Sequence, residues 1–287
     1  MASFEPGTDG FHGGISPAIS VEEVAREAEE IAQEISVEEL DALAGNDPHL
    51  RIDDLHAGYG QMEILHGLSL RVAARQSLCL IGPNGAGKST VLHSIFGFTD
   101  IYSGAIITKM NGKPTDVTRL SSSEKLHTAG IAYILQDKSV FPGMTVEENL
   151  WMGAYLMDRA AAKQAAEKVF DKYPRLAARR KHSAKVLSGG ERRLLEISRA
   201  LVMEPQVLLV DEPSIGLEPR FIEMVFEILG DLQHKEGKTI IIVEQNAKKG
   251  LEYADIGYVL VAGRIALAGR ADDLLANPDV SRLFLGG

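Results

Sequence analysis

A glycine-rich stretch contains the residues best suited to chemistry, in the order Gly82, Pro83, Asn84, Gly85, Ala86, Gly87, Lys88, Ser89 and Thr90. This order fits the pattern G-x-x-x-x-G-K-[ST], in which glycines let backbone N–H groups turn inward around a phosphate. A helix that starts directly after the turn would point its positive dipole end at the same anion. We therefore expect Lys88 to bridge the β- and γ-phosphates of a nucleotide and the Ser89 hydroxyl to ligate Mg²⁺.

Two adjacent acidic residues end an apolar run further along the chain. Residues 207–210 are Val, Leu, Leu and Val, and Asp211 and Glu212 follow at once. Carboxylates without partners are costly beside a core, so a pair of them at the end of a buried strand indicates a function. Asp211 suits the outer coordination shell of Mg²⁺, and Glu212 suits a general base that polarises the attacking water. The two stretches together predict hydrolysis of a nucleoside triphosphate.

The elements that must position these residues alternate between β-type runs and helical patterns. Residues 50–57 and 68–73 are predicted strands of an edge sheet, and apolar strands are predicted at 77–81, 131–135, 207–210, 239–243 and 256–261. Helices are expected at 88–96 and 191–201, and residues 145–180 are helical in pattern throughout. The fold class is therefore α/β, with a mainly parallel sheet core, an antiparallel edge sheet and a helical insertion at about 145–185.

Length and composition exclude several classes of protein. The chain has 287 residues, of which 45% are hydrophobic and 24% charged, as in an ordinary folded globular protein. No apolar run approaches the roughly 20 residues that a membrane-spanning helix needs, and no secretory signal opens the sequence. The single cysteine, Cys79, lies in a predicted strand and fits a small core residue in a reducing compartment. A cytoplasmic protein is expected.

The acidic charge is concentrated in residues 1–48, which hold twelve acidic residues and one arginine. We treat this segment as an N-terminal extension and residues 49–287 as the main domain. The extension contains a predicted helix with a narrow apolar seam and, after Ser36, a second short helix that Gly45 would end. The seam residues are Val21, Val24, Ala28, Ile31 and Ile35. Two interpretations stay open: a solvated tail, or a docking helix for a partner, while its charge argues against nucleic acid.

One further motif identifies a family. Leu187, Ser188, Gly189, Gly190 and Glu191 lie upstream of Asp211 and resemble the signature sequence of ATP-binding-cassette (ABC) ATPases. Ser188 and the two glycines begin a predicted helix, so their N–H groups can face an anion. The resemblance implies that this anion is the γ-phosphate of ATP bound by an opposite subunit. It therefore implies a P-loop NTPase of ABC type that works as a head-to-tail pair, with two ATP molecules and Mg²⁺ at the interface.

Other positions match the same family pattern. The resemblance implies that Tyr59 stacks on adenine and that Gln136 contacts Mg²⁺ and leads into the helical insertion. Gly216, Leu217, Glu218 and Pro219 occupy the loop that crosses the dimer interface after the catalytic glutamate. Many family members have an aspartate near the end of that loop, where this chain has Glu218 and Pro219.

Gln245 departs from the histidine that most family members carry at this position. A glutamine amide can donate a hydrogen bond to the γ-phosphate but cannot titrate, which leaves general-base work to Glu212. The other interpretation of Gln245 is a cap for the following helix. Residues 243–247 resemble one subgroup, the ATPases of branched-chain amino-acid importers and their urea-importing relatives, as do 141–150 and 283–286. A lipopolysaccharide-export ATPase shares part of the pattern, including residues 189–193, but typically keeps the histidine.

The resemblance implies a cytoplasmic ATPase subunit, peripheral on the inner face of the cell membrane, in an importer of branched-chain or other small amino acids. Its implied partners are a second ATPase subunit, integral membrane permease subunits and, indirectly, a periplasmic solute-binding protein. A groove near residues 136–147 would receive a coupling helix from the permease. The alternatives are a urea importer, a lipopolysaccharide or lipid exporter, and a soluble ABC ATPase without a permease. No nucleic-acid partner is expected.

Overall fold

The computed structural model describes residues 35–135 and 139–285, and its centre is a six-stranded sheet of order β10-β9-β3-β8-β7-β6. The four pairings from β9 to β6 are parallel, and β10 runs antiparallel to β9 at one edge. The strands are β3 (Ser77–Ile81), β6 (Ile131–Ile134), β7 (Val207–Asp211), β8 (Thr239–Val243), β9 (Ile256–Val261) and β10 (Arg264–Arg270). The predicted parallel core is confirmed, and all five of its predicted strands are present.

A second, antiparallel sheet of order β2-β1-β4-β5 packs beside the first. Its strands are β1 (Pro48–Tyr59), β2 (Met62–Ala73), β4 (Asp100–Met110) and β5 (Lys113–Asp116). The predicted edge sheet is confirmed, although β1 and β2 are longer than their apolar runs. Irregular register between β1 and β2 interrupts the alternation of side chains that sequence patterns detect.

Helices cover the parallel sheet and form a separate block between β6 and β7. In chain order the helices are α1 (Val37–Leu43), α2 (Lys88–Phe96), α3 (Ser122–His127), α4 (Val146–Gly153), α5 (Arg159–Lys172), α6 (Pro174–Ala177), α7 (Gly189–Leu201), α8 (Pro219–His234), α9 (Ala247–Tyr253), α10 (Ala271–Ala276) and α11 (Pro278–Phe284). Within the described residues, no helix combines the length and apolar character that crossing a bilayer requires.

The helical insertion is broken into pieces rather than continuous. Asp158 starts α5 by accepting hydrogen bonds from the backbone of Ala160 and Ala161, and Pro174 starts a new short helix. Helices α4–α7 bury an apolar cluster of their own, which includes Leu150, Ala166, Phe170 and Leu195. This cluster is separate from the two apolar clusters of the sheets.

Helix α1 packs against the main domain, although it lies in the acidic extension. The predicted short helix after Ser36 is present and begins with a capping box of Ser36 and Glu39, and Leu40 is only 3% exposed within the main apolar cluster. The Asp41 carboxylate lies 2.8 Å from the buried Arg71 guanidinium, and Gln76 donates a hydrogen bond to the Leu43 carbonyl. Residues 35–47 therefore contact the main domain through apolar packing, an ion pair and a hydrogen bond. The seam residues before Ile35 lie outside the described residues.

Candidate nucleotide-binding site

The phosphate loop joins the end of β3 to the start of α2. Gly82, Gly85 and Gly87 have φ angles of 147°, 81° and 99°, a region that side chains with a Cβ rarely enter. At Gly82 a Cβ would also lie 2.1 Å from the Leu260 carbonyl oxygen. Gly87 caps α2 without a side-chain hydrogen bond, so the first N–H groups of the helix point into the loop. The backbone is thus shaped for an anion before any ligand binds.

Lys88 is buried inside this loop. Its ammonium donates hydrogen bonds to the carbonyl oxygens of Gly82, at 2.9 Å, and Pro83, at 3.0 Å. Burial lowers the pKa of Lys88, whereas the negative charges of Glu212 and Asp211 raise it. A cation held over the loop and facing two carboxylates is placed to neutralise phosphate charge.

The two acids end β7 and lie beside the loop, as the sequence predicted. Asp211 is 5% exposed, and its Oδ1 accepts a hydrogen bond of 3.1 Å from the Ser89 hydroxyl. Strands β3 and β7 both run parallel to β8, which lies between them, so their carboxyl ends lie at one sheet edge and residues 122 positions apart meet. Ser89 and Asp211 thus form a pair of oxygen donors next to the phosphate loop.

Glu212 follows Asp211 directly and lies near the charge of Lys88. Burial, followed by the charge of Asp211, raises the pKa of Glu212, and Lys88 opposes this rise. Its backbone lies at φ 41°, an unusual conformation for a residue with a side chain, and its N–H donates to the Val243 carbonyl. Such local strain often persists at functional positions because the surrounding structure enforces it.

Gln245 lies just beyond β8, near the same edge. Val243 pairs with Asp211 in the register of β7 and β8, so Gln245 follows that pair by two residues. Gln245 is exposed, and the helix cap that follows is made by Asn246, whose side chain accepts from the Lys249 N–H. The capping interpretation of Gln245 is therefore wrong, because the neighbouring residue does that work.

The signature residues start α7 as expected. Ser188 forms a capping box with Glu191, and its own N–H and hydroxyl both donate to that carboxylate. A Cβ on Gly190 would lie 2.2 Å from the ring of Phe221, so the close packing of α7 on α8 requires glycine there. The Gly189 and Gly190 N–H groups belong to the first turn of a helix of 13 residues.

Tyr59 ends β1 with a ring that is 43% exposed, which leaves a face available for stacking. Its hydroxyl lies 2.5 Å from Nδ1 of His93 on α2. Sequence analysis did not select His93, because a histidine inside a helix gives no signal by itself. Gln136, the remaining predicted site residue, lies outside the described residues.

Sequence analysis also missed a buried carboxylate behind the site. Glu244 is 2% exposed and accepts hydrogen bonds from the Ser214 hydroxyl, at 2.7 Å, and the Asn246 N–H, at 3.1 Å. It therefore ties the loop after Glu212 to the segment that carries Gln245. An acid directly after an apolar strand is the signal that could have identified it.

A glycine loop between β3 and α2, faced by acids from β7, defines a P-loop nucleotide-binding domain. The chain belongs to the ABC transporter family, whose pattern matches residues 65–215. The resemblance and the ATPase activity expected from it are confirmed.

Several known proteins are similar over most of this chain. It is 39% identical to the probable branched-chain amino acid transport ATP-binding protein LivF of Archaeoglobus fulgidus, over 83% of this chain and 98% of that protein. It is 40% identical to the high-affinity branched-chain amino acid transport ATP-binding protein BraG of Pseudomonas aeruginosa, over 83% and 100%. The lipopolysaccharide export system ATP-binding protein LptB of Haemophilus influenzae is 30% identical, over 83% and 97%.

Solved structures give the same result for the fold. A nucleotide-free ATP-binding cassette from an ABC transporter superimposes with a TM-score of 0.73 at 28% identity, over 84% of this chain and all of that chain. An ATP-binding cassette in its ADP conformation superimposes with a TM-score of 0.72 at 28% identity, over 84% and 99%. The fold and the nucleotide-binding class thus agree with the site geometry.

Proposed function

We propose that this chain is the Mg²⁺-dependent ATP-hydrolysing subunit of an importer for branched-chain or other small amino acids. The main observation in support of ATP hydrolysis is that four polar side chains lie together at one sheet edge: Lys88, Ser89, Asp211 and Glu212. The similarity to LivF and BraG supports the transported class of solute.

The donor atoms around the phosphate loop fit a magnesium ion. Mg²⁺ prefers oxygen ligands and is commonly held by one or two protein side chains together with phosphate oxygens and water. The Ser89 hydroxyl and the Asp211 carboxylate supply such oxygens 3.1 Å apart. Mg²⁺ would neutralise charge on the phosphates, while Lys88 binds the β- and γ-phosphates and the loop N–H groups hold them in place.

Glu212 is the proposed general base. Its raised pKa brings it closer to neutrality than an ordinary glutamate, which favours proton transfer from the attacking water. Gln245 would donate its amide N–H to the γ-phosphate and hold it in line, without exchanging a proton. Tyr59 would stack on the adenine ring.

Two surfaces would serve protein partners. The signature residues at the start of α7 would contact ATP bound by a second ATPase subunit. The capping box of Ser188 and Glu191 fixes the first turn of this helix, whose N–H groups would face the phosphate. A groove of about 360 Å³ between the helical subdomain and the sheet is lined by Leu135, Phe141, Met152 and Tyr155, with Arg199 over the Phe141 ring. Tyr155 and Phe141 are 62% and 42% exposed, which suits a coupling helix from a permease.

A peripheral place on the cytoplasmic face of the membrane follows from that partnership. Lipid or lipopolysaccharide export is the second candidate, because LptB is 30% identical to this chain. Gln245 argues for the importer, since the exporter ATPase typically has histidine there. Co-purification with permease subunits and a transport assay with amino acids distinguish the two.

The hydrolysis site is tested with purified protein and two variants. Lys88→Ala should lose ATP binding, because it removes the charge that faces the β- and γ-phosphates. Glu212→Gln should keep ATP binding but lose about 10²- to 10⁴-fold in hydrolysis, the usual contribution of a positioned general base. We infer that ATP binding closes the pair of subunits and that hydrolysis opens it again, so ATP should give a stable dimer of this variant in sedimentation.

Glu227→Gln is the matched control, because Glu227 is exposed on α8. Parental hydrolysis in Glu212→Gln, or a monomer in the presence of ATP and Mg²⁺, would contradict the assignment of the base.

A further inference from the structure

Tyr133 contacts the carboxylate that the proposed metal site depends on. It lies on β6, beside β7, and its hydroxyl donates a hydrogen bond of 2.8 Å to Oδ2 of Asp211. The other carboxylate oxygen, Oδ1, accepts from Ser89. Asp211 is therefore held by two hydroxyl groups, one on each oxygen, and cannot rotate without losing a hydrogen bond.

The phenol of Tyr133 acts only as a donor. A carboxylate oxygen only accepts hydrogen bonds, so the proton shared with Asp211 comes from the Tyr133 hydroxyl. Because Tyr133 holds Oδ2, the oxygen that faces the phosphate loop is Oδ1, which lies 3.1 Å from the Ser89 hydroxyl.

The ring of Tyr133 is itself fixed by aromatic contacts from α2 and the turn after it. The Phe96 ring stacks on the Tyr133 ring, with 5.6 Å between the ring centroids. The rings of His93 and Phe98 contact it edge-on, with centroid distances of 5.7 and 5.9 Å. His93 then reaches Tyr59 through the 2.5 Å contact between Nδ1 and the phenol oxygen. A continuous row of contacts thus joins Tyr59, His93, Tyr133 and Asp211.

We propose that Tyr133 is a positioning residue that sets the metal-binding carboxylate of Asp211 and, through His93, links it to the base-stacking ring of Tyr59. The proposal rests on the nucleotide site described under Proposed function and adds a physical connection between its two ends. Residues that hydrogen-bond to a metal ligand typically contribute 10- to 100-fold to metal affinity. The base end and the metal end of the nucleotide should therefore bind in a coupled manner.

Tyr133→Phe removes the hydroxyl and keeps the ring contacts. The affinity for ADP is measured by calorimetry in EDTA and then over a titration with Mg²⁺, and bound Mn²⁺ is observed by electron paramagnetic resonance. We expect unchanged ADP affinity in EDTA, within twofold, and about a tenfold higher metal concentration for half-saturation, the low end of the range for such partners. The Mn²⁺ spectrum should change, because the geometry of the carboxylate changes.

Tyr258→Phe is the matched control. Tyr258 is buried, and its hydroxyl exchanges hydrogen bonds with the backbone of Arg71, away from Asp211. Tyr258→Phe should leave the Mg²⁺ dependence of ADP binding unchanged. The loss of a buried hydroxyl is then excluded as the sole cause of the change in Tyr133→Phe. Parental metal dependence in Tyr133→Phe would overturn the proposal. Absence of nucleotide binding by the parent protein would instead contradict the proposed function.

The connection to Tyr59 is tested with His93→Phe, which keeps an aromatic ring but cannot bond the Tyr59 hydroxyl. We expect weaker ADP binding in EDTA and also a smaller gain in affinity on adding Mg²⁺. In the double variant with Tyr133→Phe the two effects should not be additive, as is usual for residues in one network. Additive effects, or a His93→Phe variant with parental metal gain, would overturn the connection.

Discussion

Helix α1 should contribute measurably to stability, although it lies in the acidic extension. Leu40→Ala is the most direct perturbation, because Leu40 is 3% exposed and packs in the main apolar cluster. Replacing a buried leucine with alanine usually costs about 2–5 kcal/mol, according to how far the site can collapse. Since α1 has seven residues and lies at the edge of the fold, we expect the lower part of that range, about 2–3 kcal/mol.

The assay is urea unfolding, with the free energy taken from linear extrapolation and the slope compared with the parent. Val37→Ala is the matched control on the same helix, because Val37 is 53% exposed and should change stability by less than about 0.5 kcal/mol. Equal free energies of unfolding for Leu40→Ala and Val37→Ala would show that the packing of α1 does not stabilise the fold. ATP hydrolysis at low temperature should survive in both.

Truncation extends the same reasoning. The sequence alone predicts that a chain starting at Leu50 folds and hydrolyses ATP, since every motif lies downstream. The structure changes the expected stability, because that chain also loses the contact of Asp41 with Arg71. The buried Nε–H of Arg71 would lose its partner, which costs about 1–3 kcal/mol, so the truncated chain should be less stable than Leu40→Ala. Arg71 keeps its pair with Asp53, which limits the loss.

Two further predictions concern the reaction itself. Gln245→Ala should slow hydrolysis by about 10- to 150-fold, equivalent to the 1.5–3 kcal/mol of a hydrogen bond to a charged group. The hydrolysis rate of Gln245→His should stay within about tenfold of the parental rate, and the difference should grow as pH falls through the histidine range. Asn246→Ala is the control for the loss of helix capping. A parental rate for Gln245→Ala would contradict the contact of Gln245 with the γ-phosphate. The base Glu212 must be deprotonated to act, so activity should fall as pH falls through its pKa, which burial and Asp211 raise above the ordinary value. Because the charge of Glu244 also raises the pKa of Glu212, Glu244→Gln should move the acid limb of the kcat profile to lower pH, and a shift in the opposite direction would contradict this account.

Those parts of the candidate site that consist of contiguous residues could be predicted from the sequence. The phosphate loop, the acids at the end of β7 and the signature start of α7 are each short, and their backbone requirements are local. Glycine at a positive φ, a capping serine and an apolar strand ending in acids all act over a few residues. The parallel core strands followed for the same reason, because strands buried on both faces are almost continuously apolar.

The contacts between distant side chains could not be predicted from the sequence and are known only from the tertiary structure. Tyr133 and Asp211 are 78 positions apart, and Tyr59 and His93 are 34 apart, so neither contact has a local pattern. The packing of α1 also could not be predicted, because an acidic helix with few apolar residues has the sequence pattern of a solvated tail. Only the structure shows that Leu40 packs in the main apolar cluster. Strands β4, β5 and β10 escaped prediction since they lie in partly exposed, antiparallel positions, where pairing rather than hydrophobicity selects the strand. Contacts of this kind depend on register and packing between elements, which a single sequence does not encode in any short window.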